Sequence, residues 1–226
     1  MKKKLGIVAV VILALLILDQ VVKIWVKTSF SSDEVRYVFG NWFALHYIEN
    51  QGMAFGTTFG SAIWHKLALS IFRVIAIGFI TYYLVREAKK SEVRLEYLIC
   101  IGLILAGATG NLIDSMFYDF FFSFNPCEGF NQLPGSGKFM NCSDYGFEYK
   151  VEIRHRGFLL ANVVDMFQFE AYWPKWMPVV GGNQVFPAIW NVADSCISVG
   201  IAWIIIRQRK FFPKKLEETT NKEQGQ

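Results

Sequence analysis

The sequence predicts an α-helical membrane protein, a four-transmembrane-helix bundle with a small extracytoplasmic β-platform. Three observations lead there. Of the 226 residues, 53% are hydrophobic and the mean hydropathy is +0.30, more apolar than an ordinary soluble domain. Four stretches, about 5–26, 67–85, 97–118 and 187–206, supply the roughly 20 mostly apolar residues that a spanning helix needs. The long segment between the third and fourth is polar and aromatic by turns, too irregular to span and too rich in Trp, Phe and Tyr for a free linker.

Orientation follows from the basic residues at the helix ends. Lys2, Lys3 and Lys4 precede the first span, Arg86, Lys89, Lys90 and Arg94 lie between the second and third, and Arg207, Arg209, Lys210, Lys214, Lys215 and Lys222 follow the fourth. Both termini and residues 86–94 are therefore expected inside, and segments of about 27–66 and 119–186 outside. The net charge of +4 reflects this topology. It forms no aromatic-interleaved stripe of the kind that binds nucleic acid, so no nucleic-acid partner is expected. The basic start and apolar run imitate a secretory signal, but Asp19, Gln20 and Lys23 stand where a small-residue exit site would be needed, so the first helix is expected to be retained. Residues 1–210 read as a single integral membrane domain, and 211–226 as a charged cytoplasmic tail.

In the first outward segment, residues 35–48 are rich in aromatic and β-branched types with partial alternation, which predicts short strands. A second strand-like run covers 157–169, and the YWPKWMP stretch reads as interfacial. Cys100 and Cys196 fall within spans as small packing residues. Cys127 and Cys142 lie in the outward segment, where oxidising conditions make them a candidate disulfide. His46, His65 and His155 show no paired ligand spacing, and neither a metal nor another cofactor is expected.

Ionisable residues inside spans are costly and are candidates for function. Here they are Asp19 and Lys23, Arg73, Asp114 and Asp194. Asn111 stands three before Asp114 and Asn191 three before Asp194, and the same spacing recurs outside the spans in Asn162 and Asp165. On a helix, positions three apart share a face. Asp19 and Asp194 each lie about seven residues, or ~10 Å, below the outer surface, and Asp114 lies in the last turns of its span, so three helices place polar groups at one level. Plain structural readings stand beside these: Asp19 and Lys23 as an intrahelical ion pair, Arg73 as a snorkelling anchor, Asn50 as a turn residue, Asp114 as a helix-end hydrogen-bonding group. Asp194 has no basic partner nearby in sequence, and Asp165 is flanked by Val163, Val164, Met166 and Phe167, so structural duty explains these two least well. Two carboxyl groups confined together cannot both ionise, and such a pair can act as acid and base at once, as in aspartic proteases. No serine triad, zinc motif or phosphate-binding loop competes.

The residues and their order resemble the lipoprotein signal peptidases, the type II signal peptidases of bacteria. The resemblance is carried by Asp19-Gln20-Val21-Val22-Lys23, by Asn50-Gln51-Gly52-Met53-Ala54-Phe55-Gly56, by Gly107 to Asp114, by Val163-Val164-Asp165-Met166-Phe167, and by Phe186 to Asp194. It implies an intramembrane aspartyl endopeptidase of the bacterial cytoplasmic membrane that removes signal peptides from diacylglyceryl-modified prolipoproteins, cutting before the lipidated cysteine. By motif position Asp165 and Asp194 become the catalytic dyad. Asn50, Gly52, Asn111, Asp114 and Asn191, with Asp19 and Lys23, become substrate-binding or supporting residues. The partners implied are lipid-modified prolipoproteins and membrane lipids.

Two departures from the family pattern stand out. The family has Arg directly after the third-span Asp, whereas this chain has Ser115, with Arg154 or Arg156 as candidates to supply the charge. Residues of about 121–157 form an insert that brings in Cys127 and Cys142. Two other function classes compete: a proton-coupled small transporter, which the lack of an inverted repeat disfavours, and a non-catalytic lipid-binding protein using the aromatic outward face.

Overall fold

The computed structural model describes residues 2–51, 60–144 and 146–213. Helices α1 (Lys2–Ser29), α2 (Ile63–Ala88) and α3 (Leu95–Phe121) are each long and apolar enough to cross a membrane. Helix α4 (Val192–Ile206) is apolar but has only 15 residues. The strands are β1 (Val35–Phe39), β2 (Phe43–Asn50), β3 (Phe139–Asp144), β4 (Phe147–Glu152) and β5 (Val163–Phe169).

The expected fourth span began at residue 187, but the helix begins five residues later. The reason is local. Pro187 has no N–H to donate, and the Trp190 carbonyl accepts from Met166 N and Phe167 N, which holds the chain extended beside β5. Asn191 then caps α4, its side chain accepting from Asp194 N at 2.8 Å. The Asn191–Asp194 spacing is thus an N-cap and not two positions on one helical face, and Asp194 lies in the first turn and not seven residues into a span.

Helix α3 is the central element, mostly buried and packed against α1, α2 and α4. Its Gly107 and Gly110 let α4 and α1 come close: a Cβ on Gly107 would overlap the Ala193 carbonyl of α4, and one on Gly110 would meet Asp19 Oδ2 of α1 at 2.6 Å. Small residues let membrane helices approach this closely. The outer faces of α1 and α2 carry Val10, Leu13, Ile17, Phe72 and Phe79, exposed here and suited to lipid. One apolar cluster, with Val8, Leu84, Leu98 and Ile101, fills one end of the bundle, and a second, with Val26, Tyr47, Val164 and Met166, joins α1 to the sheet at the other. At the first end Lys4 Nζ donates to the carbonyls of Ser91 (3.2 Å) and Val93 (2.7 Å), and Arg207 pairs with Glu96 at 3.1 Å. The three basic clusters therefore share one end of the molecule.

At the opposite end β1, β2 and β5 form an antiparallel sheet in the order β1-β2-β5. The expected strand-like run from 157 contributes only Val163–Phe169, because residues 157–160 turn, with Leu160 N bonded to Gly157 O. The insert holds the β3–β4 hairpin, which the sequence reading left without structure. Its signal was present in the second strand, where Phe147, Tyr149 and Val151 alternate with charged residues after Gly146, while the first strand, FMNCSD, carries little of it. A disulfide between Cys127 and Cys142, with Cα atoms 5.2 Å apart, ties the hairpin to the loop before it. Beyond β5, Trp176 and Val179 are largely exposed.

Candidate active site

Asp165 sits mid-strand in β5, opposite Ile48 of β2, and is 1% exposed. Asn191 Nδ2 donates to its Oδ1 at 2.6 Å, and Asn50, the last residue of β2, donates to its Oδ2. Asp194 approaches from α4 and accepts from Asn111 Nδ2 of α3 at 2.8 Å. The two carboxylates come from a strand and a helix remote in sequence, yet both line one cavity of about 620 Å³. The rest of its wall is mostly apolar, including Phe169, Phe186, Ile189, Trp190 and Val199.

The amides link the two acids. Asn191 Nδ2 also lies 3.1 Å from Asn111 Oδ1, so a short chain of hydrogen bonds runs from Asp165 through Asn191 and Asn111 to Asp194. Behind it stands a buried charge cluster. Lys23, at 0% exposure, places Nζ 2.9 Å from Asn111 Oδ1, 3.0 Å from Asp19 and 2.9 Å from Asp114. Asp114 also accepts from Gln20 Nε2 at 3.0 Å and from Val164 N at 3.3 Å. Asp19 Oδ1 accepts from Ala193 N at 2.9 Å, which ties α1 to the first turn of α4. Lys23 holds two carboxylates of different helices, so an intrahelical pair with Asp19 is only part of its role. Burial pushes the Asp165 carboxyl well above the usual carboxylate range, and the nearby charge of Asp194 adds to this.

Several expectations change here. Asn162 does not join the cluster: its amide donates to the Phe130 carbonyl at 3.0 Å. Asp114 does not lack a cation, because Lys23 supplies it. Neither Arg154 nor Arg156 replaces the arginine expected at 115. Arg154 forms a two-point pair with Asp119 (2.7 and 3.1 Å), and Arg156 stacks on Phe124, 4.1 Å from its ring centre. Gly52 and the four motif residues after it, to Gly56, lie outside the described residues. Sequence reasoning gave no role to Gln20, although it adjoins Asp19, and treated Arg73 as an anchor, although it lines the cavity.

The family model for signal peptidase (SPase) II matches residues 11–210. The chain belongs to the signal peptidase II family. A lipoprotein signal peptidase of Porphyromonas gingivalis is 40% identical over 205 residues, covering 88% of this chain and 81% of that protein. One from Amoebophilus asiaticus is 32% identical over 200 residues, covering 85% and 73%. In fold, the chain resembles a bacterial membrane enzyme solved by the in meso method at 2.3 Å, with a TM-score of 0.60, 21% identity and coverage of 96% and 95%. A second such structure, at 1.9 Å, gives a TM-score of 0.55, again at 21% identity, with coverage of 91% and 94%. As a signal peptidase II, the chain is a protease and a bacterial membrane enzyme.

Proposed function

We propose that Asp165 and Asp194 are the catalytic dyad of an aspartyl endopeptidase that cuts diacylglyceryl-modified prolipoproteins before the lipidated cysteine. The observation that carries this reading is the convergence of two carboxyl groups on one largely apolar cavity, each held by an asparagine amide that is also linked to the other side. Burial and the neighbouring charge favour the proton on Asp165. Asp194 then accepts a proton from the attacking water while Asp165 donates to the scissile carbonyl oxygen. The tetrahedral intermediate breaks its C–N bond, the leaving amine takes the proton from Asp194, and Asp165 recovers its own from the diol. Asn50, Asn111 and Asn191 orient the acids and the substrate backbone, while Asp19, Lys23 and Asp114 hold Asn111 and the start of α4 in place.

The cavity also suits a lipid-bearing substrate. Its α4 wall reaches the molecular surface at Val199, 54% exposed, so acyl chains can stay in the bilayer while the peptide enters. In this reading α4 completes a four-span bundle in the cytoplasmic membrane. Both termini and the α2–α3 link lie inside, and the sheet, the hairpin and the dyad lie toward the outer face. The grouping of the basic clusters at the end away from the sheet supports that orientation.

The experiment is cleavage by the purified chain of one prolipoprotein peptide with and without the diacylglyceryl group, with the new termini read by mass spectrometry. Cleavage before the modified cysteine, and far slower cleavage of the unmodified peptide, is the expected outcome. Equal rates on both forms, or a cut elsewhere, would refute the substrate assignment.

A further inference from the structure

Helix α2 turns apolar side chains outward over most of its surface, with Phe72, Ile75 and Phe79 exposed. Lys66, Ser70 and Arg73 interrupt this pattern at spacings of four and three, and so share one face. All three reach inward. Lys66 Nζ donates to the Gln51 carbonyl at 2.6 Å and Ser70 Oγ to the Leu159 carbonyl at 2.7 Å, docking α2 onto the outward segments. Arg73 goes elsewhere: half-buried, it lines the cavity that holds Asp165 and Asp194, and its Nη1 donates to Ser115 Oγ at 3.4 Å. A cation in a spanning helix is costly, and such residues face cavities or partners that use them.

We propose that Arg73 is a positioning residue for the reaction, its guanidinium holding carbonyl oxygens of the lipid-modified substrate beside the dyad. The inference rests on the dyad reading above. It also accounts for Ser115: the cavity receives its guanidinium from α2, and the serine hydroxyl helps to aim it. A guanidinium is a planar fork of donors with no acceptor, suited to paired carbonyl oxygens in a place where water is scarce. The carbonyls come either from the ester groups of the diacylglyceryl moiety or from the peptide groups flanking the scissile bond. Among the described residues, the charged groups that act on the dyad are Lys23 on α1, paired with Asp19, Asp114 on α3, and Arg73 on α2, which lines the cavity. Removing Arg73 takes away a cation beside the dyad and leaves the carboxylates in place, which makes protons harder to remove from the dyad.

The test measures KM, kcat and the pH–rate profile for full-length Arg73→Gln and Arg73→Lys, with Asp194→Asn alongside. Arg73→Gln is expected to raise KM roughly tenfold or more, as loss of a charged hydrogen bond does, and to move both limbs of the profile to higher pH. Arg73→Lys keeps the charge and loses the fork, so KM rises while the limbs stay in place. Repeating Arg73→Gln on a substrate with ether-linked chains distinguishes the sources. If its KM defect disappears relative to wild type, the ester carbonyls are the ligand, and if it persists, the peptide carbonyls are. Wild-type KM and pH limbs in Arg73→Gln, with Asp194→Asn inactive, would overturn the proposal and leave the dyad standing. Turnover by Asp194→Asn would instead overturn the dyad. Should Arg73→Gln fail to fold, Arg73→Lys decides, and a wild-type KM there refutes the role of the fork.

Discussion

Replacing Lys23 with methionine keeps the length and volume of the side chain and deletes its charge. In the wild-type structure its Nζ lies 3.0 Å from Asp19, 2.9 Å from Asp114 and 2.9 Å from Asn111 Oδ1, with no exposure to solvent. The variant leaves two carboxyl groups buried without their cation, and removing one partner of a buried ion pair costs about 3–5 kcal/mol. For a chain of this size each kcal/mol shifts the melting temperature by about 2–4 °C, so the expected fall is roughly 6–20 °C. Adding Asp114→Asn removes one of the stranded carboxyls and is expected to recover about half of the loss. Because Asn111 Oδ1 loses one of its two donors and keeps only Asn191 Nδ2, cleavage is also expected to fall, even at temperatures well below the new melting point. Thermal unfolding in detergent, read by intrinsic fluorescence, measures the first effect, and cleavage at a low fixed temperature the second. A shift of less than about 2 °C, or a double variant no more stable than Lys23→Met, would refute the claim that Lys23 neutralises both acids.

Three further outcomes are expected. Asp165 has its folded-state pKa raised by burial and by Asp194, so it stabilises the fold fully only below the unfolded carboxylate value of about 3.9 and loses that contribution as pH rises. Asp165→Asn is therefore expected to melt above wild type at pH 8 with the difference vanishing near pH 4, and equal melting at both pH values would contradict this. Changing Cys127 and Cys142 to serine opens a bridge spanning 15 residues, worth about 3 kcal/mol in the chain-entropy model. The hairpin is expected to become protease-sensitive while cleavage persists; free alkylation of both cysteines in native wild-type protein would exclude the bridge. A cysteine probe at Ser136 should be labelled from outside intact cells and one at Ser91 should not, and the reverse pattern would invert the proposed topology.

Much of the fold was legible because it rests on local signals. The apolar runs gave α1, α2 and α3 within a few residues of their ends, and the aromatic alternation of residues 35–48 anticipated β1 and β2. The start of α4 was misjudged because hydropathy cannot see that the Trp190 carbonyl is needed by β5, nor that Asn191 serves as a cap. Asp19, Lys23, Arg73, Asp114 and Asp194 stood out in the sequence as candidates, since charge in an apolar span has few explanations. The wiring of the site did not. Which cation meets Asp114 depends on how α1 packs against α3, and the arginines of the insert, Arg154 and Arg156, were the wrong candidates. Arg73 was visible as a charge on α2, but only the helix packing shows that it enters the cavity.

The central claim is that two carboxyl groups in one confined site perform the cleavage together. The most direct measurement is single-turnover cleavage of the lipid-modified peptide by wild type, Asp165→Asn and Asp194→Asn, each first shown to be folded by its melting transition and to bind the peptide. Both variants keep their shape and lose one ionisable group, so each is predicted to bind substrate and to cleave it at least about a thousandfold more slowly. Near-wild-type cleavage by either variant, folded and bound, would contradict the account.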